Sequence, residues 1–94
     1  DARRCLRVLI EINEQDLAAA MAVWQGIDAL LDGAGIGLPR LLHGFDATVW
    51  NFYRETLAHV IDARIGLEDG KHLPSGAVAE GNAALIRAAL ALAL

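Results

Sequence analysis

Cysteine and basic residues are both scarce in this chain of 94 residues. The single cysteine, Cys5, excludes an intrachain disulfide, which fits a reducing compartment, and we expect a cytoplasmic protein. Lys and Arg number 8 against 12 Asp and Glu, and the net charge is -4. Phosphate neutralisation supplies most of the affinity for nucleic acid, so this balance argues against direct nucleic-acid binding. The one basic cluster, Arg3, Arg4 and Arg7, is interpreted as the solvated start of a helix.

A long apolar run is also lacking. The most apolar stretch, residues 82–94 (NAALIRAALALAL), contains Arg87 and is shorter than the roughly 20 residues that cross a bilayer. We therefore expect no membrane partner. Ala and Leu are strong helix formers, and the stretch is apolar nearly all round. We predict a helix here, buried inside the subunit or between subunits.

Apolar side chains, by contrast, are abundant. Hydrophobic residues make up 55% of the chain, and the mean hydropathy is +0.38. A domain of this size buries only about 60–65% of the surface that its unfolded chain exposes. A single domain over residues 1–94 therefore has more apolar surface than one small core covers, and we expect a homodimer.

The segment RRCLRVLIEIN is open to two interpretations. It has β-branched residues at alternate positions, which favours a strand: Val8, Ile10 and Ile12. No other segment reads as a partner strand, however, and residues 4–32 place their apolar side chains on one helical face. We predict one long helix over residues 4–32, ended by Gly33. The alternative is a break at Asn13, with Glu14 in the first turn of a new helix.

The remaining chain reads as helices separated by glycine-rich and proline-containing turns. Pro39 opens a short helical turn that runs through His43. Asp46 is expected to cap a second long helix that ends at Gly66. Ser75 is expected to cap a last helix that runs to the end of the chain, with Gly81-Asn82 as either a weak point inside it or a fresh start. The predicted fold class is all-α, with three main helices plus a short one.

One polar constellation has the spacing of a shared helix face: Glu55, His59 and Asp62 lie at i, i+4 and i+7. Carboxylate and imidazole are ordinary metal ligands. A di-metal site in a helical bundle would also need a second Glu-x-x-His on a facing helix, and the chain has none. We interpret these residues as a solvated face with a Glu–His pair and expect no metal.

Other combinations also fall short of a site. Cys5 has no histidine placed beside it, so we interpret it as a structural thiol and expect surface histidines at three positions: His43, His59 and His72. The glycines of Gly33-x-Gly35-x-Gly37 follow a predicted helix, whereas a dinucleotide-binding loop follows a strand. We expect no cofactor and no catalytic residue.

Helical chorismate mutases are enzymes of similar length that form intertwined dimers around a long first helix. A buried dicarboxylate substrate needs several converging Arg and Lys side chains. Here Arg54, Arg64 and Arg87 do not converge in the predicted helices, which argues against an enzyme. A small helical enzyme or small-molecule binder with a site in the bundle core remains the alternative, and a structure with an enclosed polar pocket and converging Arg, His or carboxylate side chains would favour it.

Large apolar faces on an acidic chain favour a protein partner over a metabolite. Phe52 falls beside the polar side of its predicted helix, so we expect an exposed aromatic there. The residues predicted to form the core, the dimer interface or the partner interface are Leu6, Leu9, Ile10, Leu17, Met21, Trp24, Trp50, Phe52, Tyr53, Leu57, Leu85 and Leu90.

Two segments, RRCLRVLIEINEQDL and GFDATVWNFYRETLAHVIDARIG, together with the length and acidity, resemble the small bacterial antiactivators of quorum-sensing transcription factors. The resemblance implies a non-enzymatic inhibitor that covers the dimerisation surface of a LuxR-type transcription factor. It assigns no individual site residue. The prediction from sequence is a homodimeric regulatory protein that binds a protein partner.

Overall fold

Strands and helices alternate along the chain, whose computed structural model describes residues 7–59 and 61–94. The elements in chain order are β1 (Val8–Glu11), α1 (Leu17–Gly33), β2 (Arg40–His43), α2 (Val49–His59, entered through a 3-10 turn at Asp46–Thr48), β3 (Asp62–Ala63) and α3 (Asn82–Ala93).

The three strands form a parallel sheet in the order β1–β2–β3. Ile10 pairs with Leu42, and Leu42 pairs in turn with Ala63. Parallel neighbours need a crossover connection, which α1 and α2 supply. The all-α prediction is therefore wrong, and the fold is mixed α/β.

The long first helix predicted over residues 4–32 is wrong where it covers β1. Ile10 and Ile12 are buried, whereas Leu9 and Glu11 are exposed. That alternation has the period of two of a strand. A segment this short also fits the apolar face of a helical wheel, so only the partner strand decides between the two interpretations. Leu6 lies outside the described residues.

Helix α1 begins at Leu17, so the alternative of a break near Asn13 is closer to the structure. Its start is set by Asp16, whose Oδ2 accepts a hydrogen bond from the Ala19 N–H at 2.9 Å. Glu14 precedes the helix instead of lying in its first turn. The helix ends at Gly33 as predicted, and Gly35 follows with φ 71, a conformation that glycine adopts without strain.

The predicted helical turn from Pro39 to His43 is wrong, because residues 40–43 form β2, the central strand. Pairing with both neighbours outweighs the helix preference of its two leucines. The second long helix is shorter than predicted: it ends at His59, and the chain then enters β3. The prediction that Asp46 caps this helix is wrong. Asp46 is the first residue of the 3-10 turn that precedes the helix, and it has φ 46.

The last helix begins at Asn82, not after Ser75. Ser75 lies in a turn, and Gly81 is the residue before the helix. The prediction that residues 82–94 are helical is confirmed up to Ala93.

Helix α2 is covered on two sides by separate apolar clusters. Phe52 belongs to the cluster between sheet and helices, together with Ile10, Ile12, Ala20, Trp24 and Leu42. The opposite side of α2 packs on α3 in a second cluster: Val49, Trp50, Tyr53, Ala79, Leu85 and Ala89. The expectation of an exposed Phe52 is therefore wrong, because its side chain is fully buried.

Two surfaces remain apolar and open in the described chain. On the sheet face opposite the helices, Leu9 is 50% exposed. On α3, Ile86 and Leu90 are 49% and 60% exposed, and they lie on one side of the helix at i, i+4 spacing. The last helix is thus buried only along the side that carries Leu85 and Ala89.

Candidate functional site

Polar side chains gather where the three strands end. Glu11 is the last residue of β1 and His43 the last residue of β2. Arg64 and Asp69 follow β3 closely. The carboxyl ends of parallel strands lie at one edge of a sheet, and this is where α/β proteins bind their ligands.

His43 is the centre of this group and is 2% exposed. Its Nδ1 lies 3.6 Å from Oδ2 of Asp69 and 3.2 Å from the Gly44 carbonyl oxygen. Its Nε2 lies 3.5 Å from Oε1 of Glu11, yet within the described chain this nitrogen has no hydrogen-bond partner. Buried polar atoms are nearly always hydrogen-bonded, so the free Nε2 requires an explanation.

Asp69 is fixed by a two-point contact with Arg64. The guanidinium Nε and Nη2 donate to its two carboxylate oxygens at 3.0 Å and 2.8 Å. Asp69 is 1% exposed. The hydrogen bond to Asp69 raises the pKa of Arg64 above its ordinary value, and the charges of Asp69, Glu68 and Glu11 add to this. Arg64 therefore stays charged, and the bidentate geometry orients the carboxylate beside His43.

Close backbone packing holds the loops that carry these residues. The Asp46 N–H donates to the Asp69 carbonyl oxygen at 2.7 Å, which joins the loop after β2 to the loop after β3. A Cβ on Gly44 would lie 2.9 Å from the Thr48 carbonyl oxygen and 2.7 Å from the Phe52 ring. Glycine directly after His43 is thus what allows the chain to turn into α2.

The amino end of the sheet contrasts with this edge. Arg40, the first residue of β2, makes ion pairs with Asp28 and Asp32 of α1. The hydrogen bond to Asp32 raises the pKa of Arg40 above its ordinary value despite partial desolvation. All of these charges are paired, so we interpret Arg40 as a residue that fastens α1 to the sheet.

The arrangement at the carboxyl edge suits proton transfer. Nδ1 of this buried imidazole faces the Asp69 carboxylate and the Gly44 carbonyl, and Nε2 faces the Glu11 carboxylate without making a hydrogen bond. An imidazole held in this way can give or take a proton. In the part of the chain that the structure describes, no group of three His, Cys, Asp or Glu side chains is arranged to hold a metal ion.

The residues predicted as core or interface divide into three groups. Ile10, Trp24, Trp50, Phe52, Tyr53 and Leu85 are buried in the two clusters, and Met21 is partly buried. The exposed ones are Leu9, Leu17, Leu57 and Leu90. Leu6 is outside the described residues, and a role of any of the others in an interface stays a prediction.

The predicted polar constellation is split between two elements. Glu55 and His59 form the expected pair on α2, with Oε1 and Nε2 3.1 Å apart. Glu55 also accepts a 3.4 Å hydrogen bond from the indole of Trp24. Asp62 lies on β3 instead, where it pairs with Arg7 at 3.4 Å. Cys5 is not among the described residues.

Four residues of the carboxyl edge were missed from the sequence: Glu11, His43, Arg64 and Asp69. The expectation of a surface histidine at position 43 is wrong, because β2 and the loop after β3 enclose the side chain. Of the three arginines expected not to converge, Arg64 joins this cluster, whereas Arg54 and Arg87 lie elsewhere. A usable pattern was present, since a polar residue follows each of the short apolar runs VLI and LL.

Comparison with known proteins identifies no relative: no family model, no curated protein and no solved structure matches the chain. Among the described residues, no helix has both the length and the apolar character needed to span a bilayer.

Proposed function

We propose that the chain forms a small-molecule site of the α/β type at the carboxyl ends of its strands, where His43 exchanges a proton with the bound molecule. The observation that carries this proposal is the buried Nε2 of His43, which has no hydrogen-bond partner in the described chain. A ligand hydroxyl or amine, which can donate a hydrogen bond to Nε2, would supply the missing partner. On this account the protein acts as an enzyme or as part of one.

Each neighbour of His43 has a role in the proposal. Asp69 lies beside Nδ1 and orients the ring. Arg64 is a positioning residue, because it holds Asp69 and lies on the far side of that carboxylate. Glu11 lies on the Nε2 side, where it favours a ligand that donates hydrogen bonds or carries positive charge.

The sequence favoured a non-enzymatic regulator, and the proposal departs from it for a physical reason. The case against an enzyme rested on the lack of converging charged side chains in an all-α fold. With a parallel sheet, residues 11, 43, 64 and 69 come together from separate elements. This convergence favours the alternative of a small-molecule binder.

The proposal is tested by following the imidazole resonances of His43 by NMR during titration with small alcohols, ketones, carboxylates and amines, each tested separately. We expect at least one class to shift the His43 signals in a saturable manner. The variant H43Q should lose that binding, and the control H59Q, which alters an exposed pair, should keep it. Failure of every class to perturb residues 11, 43 and 69 would contradict the proposal.

A second candidate function is self-association or binding of a protein partner, as predicted from the sequence. The observation that favours it is the exposed apolar side of α3, which carries Ile86 and Leu90. A LuxR-type transcription factor as partner and a cytoplasmic location both stay predictions. Sedimentation at micromolar concentration tests self-association, since a monomer would exclude a stable homodimer.

A further inference from the structure

An open groove lies beside the carboxyl edge of the sheet. It has a volume of about 710 Å³ and is lined from three directions: by Gln15 after β1, by residues 46–54 at the start of α2, and by residues 71–76 after β3. We propose that this groove binds a phosphate monoester, with Arg54 and Lys71 as the groups that hold the phosphate.

The charges of the groove differ from those of the chain as a whole. The net charge of the chain is -4, whereas the groove lining contains Arg54 and Lys71 against one carboxylate, Asp46, with His72 as a further cation when protonated. Within the described residues, neither Arg54 nor Lys71 makes a side-chain hydrogen bond or ion pair. Two cations against one carboxylate leave the lining with a net charge of +1, which attracts an anion, and a guanidinium matches the oxygens of a phosphate geometrically.

The walls of the groove are held by hydrogen bonds, so the recess is already formed. The indole N–H of Trp50 donates to the His72 carbonyl oxygen at 2.8 Å. The Gln15 side chain accepts from the Ala47 N–H at 3.0 Å and donates to the Phe45 carbonyl oxygen at 2.8 Å. A preformed site avoids part of the entropy cost of binding.

The apolar part of the lining indicates an organic ligand rather than free phosphate. Ala47, Trp50, Leu73 and Pro74 supply this part, and they lie in the same recess as the two cations. Cavities of roughly 300–1,000 Å³ with an apolar lining and a few placed polar groups are typical of small-molecule sites. A phosphate monoester has a dianionic portion, which matches the two cations, and an organic portion, which matches the apolar side chains of the groove.

The groove proposal does not depend on proton transfer by His43. The Asp46 N–H donates a hydrogen bond to the Asp69 carbonyl oxygen, which joins the wall of the groove to the loop after β3 that carries Asp69. The cations that bind phosphate are nevertheless separate residues from those around His43. A variant at position 43 therefore distinguishes failure of one proposal from failure of the other.

The test is titration with phenyl phosphate at constant ionic strength, followed by the amide shifts of residues 46–54 and 71–76, with phenol as the neutral control. R54Q and K71Q should each weaken phenyl phosphate binding by about two- to fivefold, the effect of one exposed charge pair. D46N should strengthen binding, because it removes the repelling carboxylate and Asn tolerates the positive φ at that position. R87Q, on exposed α3, should bind as the unchanged chain does, and so should H43Q.

Three outcomes would overturn the proposal. The first is equal binding of phenol and phenyl phosphate, which would mean an apolar site only. The second is equal weakening by R54Q, K71Q and R87Q, which would mean diffuse attraction to a surface. The third is no saturable shift of residues 46–54 and 71–76, with the fold of each variant checked by its amide spectrum.

Discussion

His43 and Asp69 lie in contact although 26 positions separate them in the sequence, with Nδ1 and Oδ2 3.6 Å apart and both side chains buried. The contact exists because β2 and β3 are parallel neighbours. The residues that follow the two strands therefore lie at the same edge of the sheet. Arg64 then fixes the carboxylate through two hydrogen bonds. The result is a buried imidazole in a defined orientation, which is what acid–base chemistry requires.

The buried Asp69–Arg64 pair should contribute more to stability than the exposed Asp62–Arg7 pair. We expect D69A to lower the free energy of unfolding by about 1–3 kcal/mol, because it leaves Arg64 and His43 without their shared partner. D62A is the matched control. Both members of its pair are more than half exposed, so a change within about 0.5 kcal/mol is expected. Urea unfolding of the two variants measures the difference, and equal effects would show that Asp69 is not structurally buried.

Phe52 should be among the most sensitive positions of the core. F52A removes a fully buried ring from the cluster between α2 and the sheet, and we expect a loss of about 3–5 kcal/mol. Leu57 lies on the same helix but is 40% exposed, so L57A should cost clearly less. Thermal or urea unfolding compares them. A larger effect of L57A would mean that α2 presents the opposite side to the sheet.

Gly44 should not tolerate a side chain. A Cβ there would lie 2.9 Å from the Thr48 carbonyl oxygen, so G44A forces the backbone apart, and we expect a loss of about 1–3 kcal/mol. Gly33 is the control, because a Cβ there meets no atom within 4 Å. G33A lies in the last turn of α1 and should be neutral or slightly stabilising. Similar unfolding curves for G44A and the unchanged chain would contradict the described turn after β2.

The two sides of α3 should respond differently to a charge. L85D places a carboxylate at a fully buried position and should unfold the chain. L90D places it at a position that is 60% exposed, so the monomer fold should survive, while a dimer through this side of α3 should dissociate. Circular dichroism and sedimentation separate the two effects. If L90D leaves a dimer intact, this side of α3 is not the interface.

The sequence predicts some elements of this fold well. Gly33 marks the end of α1, and the Ala- and Leu-rich end marks a helix, because helix propensities act through near neighbours. The strands were missed because each has two to four residues, and β2 has no β-branched residue at all. A strand so short is recognisable only from its partners, which lie about 20 to 30 positions away.

The same limit explains why the candidate site was missed. His43 and Asp69 are ordinary polar residues until β2 and β3 are known to be adjacent and parallel. The Glu55–His59 pair, in contrast, follows from helical spacing alone and was predicted correctly. Local periodicity thus predicts contacts within one helix, whereas the carboxyl-edge cluster depends on topology.

The most direct test of the account is the tautomer of His43 in the unliganded protein, read from two-bond ¹H–¹⁵N NMR correlations of the imidazole. The Gly44 carbonyl, 3.2 Å from Nδ1, is the one acceptor among the described residues that makes a hydrogen bond with the ring, whereas Oε1 of Glu11 lies 3.5 Å from Nε2 without making one. The neutral ring should therefore carry its proton on Nδ1. Nε2 should then appear as the unprotonated nitrogen with a free lone pair. A neutral ring protonated on Nε2, or averaged signals like those of the exposed His72, would contradict the proposed role of His43.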